Sequence, residues 1–94
     1  MNFEWDENKN ITNIQKHGIA FEEAQQVFEN FHITEFDLRF DYGEIREITI
    51  GEIFNFLVVV VVHTDRAGII RIISARKANK NERRKFNGAR GKYF

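Results

Sequence analysis

Residues 56–62 read Phe-Leu-Val-Val-Val-Val-Val, and no other stretch restricts the fold so strongly. Side chains of a strand alternate between faces. Five successive valines, Val58 to Val62, therefore put apolar, β-branched surface on both faces. A strand inside a sheet, covered above and below, satisfies that pattern. The run is also far short of the ~20 residues a membrane helix needs. Phe54 to His63 is expected as a central strand, with Val60 buried inside it.

The other elements arrange themselves around this strand. Asp6 is placed to cap a first helix over about 7–17, and Gly18 is a good left-handed stop for it. Ile11 and Ile14 lie on one face of that helix, and Phe3 and Trp5 are expected to pack beneath its start. A second helix, about 21–30, carries Phe21, Ala24, Val27, Phe28 and Phe31 on one stripe. Glu22 and Glu23 in its first turn favour the positive end of the helix dipole. The period then shortens. HITEFDLRF (32–40) alternates as a strand with Ile33, Glu35, Asp37 and Arg39 on one side. DYG turns the chain, and Glu44 to Gly51 forms the next strand. After the valine strand, TDRAG reads as a hairpin loop into a fourth strand over about 68–76. Asn79 is placed to cap a last helix, with Glu82 three residues on as its capping-box partner. Helices grouped ahead of a hairpin-connected sheet make this an α+β domain, with two N-terminal helices, a four-stranded, mainly antiparallel sheet and a C-terminal helix. One domain is expected to take up all 94 residues.

Charge is balanced overall but divided along the chain. Residues 1–47 hold eleven acidic and four basic side chains, and residues 48–94 hold three acidic and ten basic. Such asymmetry is expected of a protein whose basic part meets a partner, unless folding interleaves the two halves. There is no cysteine, hence no disulfide or thiolate metal site, which fits a reducing compartment. The N-terminus MNFEWDENK is acidic and lacks the basic start and apolar core of a secretion signal. A soluble protein of the cytoplasm is expected.

The basic residues concentrate in IIRIISARKANKNERRKF, residues 69–86. Strict alternation puts Arg71 with Ile69, Ile73 and Ala75 on one face, and Arg76 with Ile70, Ile72 and Ser74 on the other. An arginine on such a strand is costly unless it is paired or reaches solvent. Arg71 has two readings: a cross-strand pair with Glu47 or Glu44, or a phosphate-holding guanidinium. Arg76 is either an exposed strand end or a second phosphate ligand, since the planar fork grips phosphate through two parallel bonds. Lys77, Lys80, Arg83, Arg84, Lys85, Arg90 and Lys92 extend the basic surface, which suits a nucleic-acid backbone without specifying sequence. His17, His32 and His63 show no close metal-ligand spacing, and no metal or cofactor is expected. Metal-free cleavage of RNA stays open; it needs a base for the 2′-OH, cations for the phosphorane and an acid for the leaving oxygen. His17, at the end of the first helix, is a candidate for proton transfer or simply an imidazole answering the helix dipole. His63 is either an RNA contact or a polar residue ending the strand.

Three segments together carry a resemblance: F-E-W-D near the start, K-H-G-I-x-F-E-E-A, and R-I-I-S-A-R-x-A-x-x-x-E-R. They resemble the BrnT family of type II toxin–antitoxin toxins, related to RelE-like ribonucleases. The resemblance extends over nearly the whole chain, although HITEFDLRFDYG matches poorly and Ala20 stands where a Ser or Thr helix cap is expected. It implies a RelE/ParE-like α+β fold and metal-independent RNA cleavage that inhibits translation and arrests growth. It also implies a cognate BrnA-like antitoxin with its own DNA-binding region. The complex, with two copies of each chain, would repress its operon by binding operator DNA. By motif position His17, Arg71 and Arg76 take the catalytic places, and Lys16, Arg46, His63, Lys77, Lys80 and Arg83 are candidate RNA contacts. The alternative is a non-catalytic RelE-like binding module, or a toxin with another target such as gyrase.

Overall fold

The computed structural model describes residues 1–39 and 41–93, Tyr93 by its backbone alone. Among the described residues the chain runs β1 (Asn2–Glu4), α1 (Glu7–His17), α2 (Phe21–Ala24), a 3₁₀ turn (Gln25–Glu29), β2 (His32–Phe36), β3 (Glu47–Ile53), β4 (Leu57–Arg66), β5 (Ile69–Lys77) and α3 (Lys80–Tyr93). The strands form one sheet in the order β1-β5-β4-β3-β2. Neighbours are antiparallel except β1, which runs parallel to β5. The α+β class stands as expected.

Four details of the expected fold are corrected. The sheet has a fifth strand, because Asn2–Glu4 pairs with Ile69–Arg71 instead of only packing under the first helix. Three residues are too few to show a period, so this strand comes from tertiary pairing. The second helix is a single α-turn followed by the 3₁₀ segment, which lies close on the sheet. Gly51 permits that approach, since a Cβ there would meet the Val27 Cβ at 3.0 Å. Strand β2 stops at Phe36, because the Asp37 carboxylate accepts the Arg39 N–H (3.2 Å) and turns the chain. Phe40, the end of the expected 32–40 strand, lies outside the described residues. The hairpin between β3 and β4 also sits later than expected. Phe54 and Asn55 carry positive φ (57° and 67°), the backbone of a type I′ turn, and Gln26 Oε1 accepts the Phe54 N–H at 2.9 Å.

The valine strand is central and covered on both sides. Val59 and Val61 pack with Phe21, Ala24, Val27, Ile53, Ile72 and Ala75 under α2 and the 3₁₀ turn. Val58 and Val60 pack with Ile50, Ala78 and Phe86 under α3. Val60 is buried, as expected.

Helix α1 departs furthest from its pattern. The Asp6 cap and the Gly18 stop are both present. Its apolar pair, however, faces solvent: Ile11 is 48% and Ile14 44% exposed, whereas Asn10 and Asn13 are buried. The helix lies beside the edge of the sheet, where β1 has ended and β5 presents open backbone. Asn13 fills that edge like a one-residue strand. Its Nδ2 donates to Ala75 O (2.8 Å) and Ile19 O (2.8 Å), and its Oδ1 accepts from Ala75 N (3.2 Å). Asn10 Oδ1 accepts from Phe21 N (2.9 Å), supplying across the chain the helix cap that Ala20 lacks. Among the described residues no helix is long and apolar enough to cross a membrane.

Candidate active site

A β-bulge in β5 determines where the arginines point. Val62 pairs with Ser74, but His63 pairs with Ile72, so Ile73 is an extra residue without a cross-strand partner. Directly paired residues share a face. Arg71, opposite Thr64, and Arg76, opposite Val60, therefore lie on the same face. This corrects the expectation of one arginine on each side: the inserted residue cancels the alternation between them. Ile70, Ile72 and Ala75 turn to the other face, into the core.

The arginine face is only half covered. Phe86 anchors α3 over Ile50, Val58, Val60 and Ala78. Beyond that helix Val62, Ser74, Arg71 and Arg76 are all partly exposed. Each arginine has a carboxylate partner. Arg76 meets Glu82, at the start of α3, through two parallel bonds of 2.8 Å. That bond raises the guanidinium pKa and lowers that of the carboxyl. The cap of α3 is the expected capping box: Asn79 Oδ1 accepts Glu82 N (2.8 Å), and Glu82 Oε1 accepts Asn79 N (2.9 Å). Arg71 does find a cross-strand partner. It is Glu4 of β1, at 3.7 Å, and not Glu44 or Glu47.

Next to Arg76 stands a group that periodicity did not single out. The 37–46 segment closes on itself through Asp37 N to Arg46 O (2.8 Å), and Thr64 Oγ1 ties it to the sheet by donating to Ile45 O (2.6 Å). Inside it the buried Asp37 carboxylate takes two bonds from Arg39 (2.9 and 3.0 Å) and one from the Tyr42 hydroxyl (3.1 Å). The Arg39 guanidinium holds that carboxyl well below the usual range. Arg39 is close enough for its charge to act on both Arg76 and Glu82. Arg46 stacks on the Tyr42 ring at 3.8 Å, and Glu44 joins Arg46 and Arg66. The signal for Arg39 and Tyr42 was an aspartate placed to turn the chain; read as a strand, the segment concealed it.

The other candidates divide. Lys16 and His17 line a shallow groove of about 320 Å³, together with Thr12, Ile73 and Ser74. Ser74 belongs both to this groove and to the arginine face, because among the described residues no strand flanks the outer side of β5 there. Among the described residues no hydrogen bond or ion pair joins His17 to Arg71 or Arg76. Lys77, Lys80 and Arg83 are exposed around the start of α3, Arg83 donating to Ala78 O (2.8 Å).

His63 is not at the surface. It is 4% exposed and packs edge-on against Phe28 (5.1 Å) under the 3₁₀ turn. Its Nε2 shares a hydrogen bond with Thr49 Oγ1 (2.7 Å), and Nδ1 has no partner among the described residues. The expected RNA contact at His63 is therefore corrected to a core position. Burial pushes its pKa down to about 4, with the charge of His32 acting in the same direction. The unfolded chain then binds more protons than the folded one between about pH 4 and 6.5, so stability falls as pH falls through that window. The full shift is worth about 3 kcal/mol. Urea unfolding of wild type and His63→Gln at pH 7 and pH 4.5 measures it: the wild type should lose about 2 to 3 kcal/mol more than the variant. Equal losses would exclude His63 as the titrating group.

Residues 5–82 match the family model for the ribonuclease toxin, BrnT, of type II toxin–antitoxin systems. The chain belongs to the BrnT family. The match includes His17, Arg46, Arg71, Arg76 and Glu82 and ends in the first turn of α3. The fold is similar to the crystal structure of the Brucella abortus ribonuclease toxin BrnT, with 27% sequence identity and a TM-score of 0.66. The alignment covers 85% of this chain and 99% of that one. No curated protein sequence matches the chain. A BrnT toxin belongs to a two-component system, so its partner is an antitoxin.

Proposed function

We propose that this chain is an endoribonuclease that cleaves RNA without a metal, inhibits translation in the cytoplasm and so arrests growth. The observation that carries the reading is the pair Arg71 and Arg76, brought to one open face of the sheet and each paired with a carboxylate. RNA can be cleaved with its own 2′-hydroxyl as nucleophile. A base removes the 2′-OH proton, the 2′-oxygen bonds to phosphorus, and the bond to the 5′-oxygen breaks as that oxygen takes up a proton. The products are a 2′,3′-cyclic phosphate and a 5′-hydroxyl. Negative charge accumulates on the phosphorane oxygens, where fixed N–H donors lower the barrier most. Arg71 and Arg76 take that role, and His17 transfers the proton across the β5 edge. Lys16, Arg46, Lys77, Lys80 and Arg83 hold flanking phosphates.

A BrnA-like antitoxin would neutralise the toxin by covering this basic face, with two copies of each chain bound to operator DNA. Steering between the two would weaken in salt. The test is to incubate the purified chain with RNA in excess EDTA and to identify the new ends. Cleavage leaving 2′,3′-cyclic phosphate is expected. Intact RNA from a preparation that still arrests growth would replace this reading with a toxin acting on another target, such as gyrase.

A further inference from the structure

Glu82 is the residue through which α3 reaches the site. Strand β5 and the helix are joined by only Ala78 and Asn79. Ala78 is buried, and its N–H donates to Val58 O (3.0 Å), so the start of the helix is fixed to the sheet. The Glu82 carboxylate is held in turn by Asn79 N, and Asn79 holds the Glu82 backbone. It cannot swing away without opening the helix cap.

A guanidinium has five N–H donors in a rigid plane. In Arg76, Glu82 takes one on Nη1 and one on Nη2, and Lys77 O takes another on Nη1 at 3.3 Å. Among the described residues the Nε–H and the outer Nη2–H are left without an acceptor, side by side and parallel, on a side chain that is 41% exposed. Two parallel donors are the arrangement that grips two oxygens of one phosphate. The neighbouring Arg39 adds a second reason for Glu82, since its charge opposes that of Arg76. A carboxylate beside Arg76 offsets that repulsion.

We propose that Glu82 is a positioning residue for RNA cleavage: it grips Arg76 end-on and so leaves the Nε–Nη2 edge fixed and free for the scissile phosphate. This rests on the reading of Arg76 as a phosphate ligand. Glu82→Gln tests it, because glutamine keeps an acceptor for the helix cap but turns an amide NH₂ toward one arm of the fork.

The readout is steady-state cleavage of an RNA oligonucleotide by the purified full chain. Glu82→Gln should lower kcat by about 10-fold or more, the scale expected of a misplaced catalytic group. KM should stay within about 3-fold and the melting temperature near that of the wild type. In an Arg76→Lys background the same change should do little, since an ammonium has no edge to orient. Glu52→Gln, which breaks the pair with Arg90 farther along α3, should change neither constant. An unchanged or raised kcat in Glu82→Gln overturns the proposal, as does a loss seen only in KM or one equally large beside Arg76→Lys. Arg76→Ala separates the two levels. If it is inactive while Glu82→Gln is fully active, only the positioning role fails. If Arg76→Ala is fully active, the phosphate-ligand reading fails and takes this proposal with it.

Discussion

Arg76→Ala should fold, bind the antitoxin and fail to arrest growth when expressed alone. Removing one fixed donor from a site that stabilises developing oxyanion charge costs about 10²- to 10³-fold in rate, or about 3 to 4 kcal/mol of barrier. The structural cost is small by comparison. The Arg76 side chain is partly exposed, and its ion pair with Glu82 lies at the surface of the domain, where such pairs contribute about 0 to 1 kcal/mol. The capping box of α3 does not need the arginine, because Asn79 and Glu82 satisfy each other. Arg76→Lys should be partly active: the charge stays, but the two-donor edge is lost. Expression of each variant in cells without antitoxin, with melting curves of the purified proteins, gives the answer. A folded, fully toxic Arg76→Ala would return this residue to ordinary surface charge.

Asn13→Leu should unfold the domain more readily than any exposed change on α1. Leucine fills the same space but leaves Ala75 N, Ala75 O and Ile19 O without their partner. Each buried polar group so orphaned costs about 1 to 3 kcal/mol, giving about 3 to 9 kcal/mol in all. A domain of this size has about 5 to 15 kcal/mol in total. The melting temperature should fall by more than about 15 °C. Ile14→Lys on the same helix should stay within about 0.5 kcal/mol, because Ile14 already faces solvent. Helical periodicity alone ranks these two substitutions the other way round, so thermal melts of the pair decide between edge docking and apolar docking. A mild Asn13→Leu with a damaging Ile14→Lys would mean that α1 packs by its isoleucines.

Local chemistry made several features legible in the chain itself. Five consecutive valines fit only a covered central strand, and β4 is one. Asp6, Gly18 and the Asn79–Glu82 box mark helix ends through bonds spanning a few residues, and all are found where the sequence places them. The motifs behind the resemblance to BrnT lie within the family match except for Phe3 and Glu4 at one end and Arg83 at the other.

What the sequence could not determine depended on partners distant in the chain. Strand β1 exists because β5 offers it an edge. Asn13 is buried because that edge continues past β1, and a polar side chain then serves better than an isoleucine. His63 ends an apolar run that could have stopped at the surface, yet the 3₁₀ turn covers it. Above all, alternation assigns Arg71 and Arg76 to opposite faces, and one unpaired residue, Ile73, unites them. A bulge leaves no mark in the apolar pattern, because Ile73 suits either face. Only the pairing of β5 with β4 reveals which residue is extra, and with it which side of the sheet holds both cations.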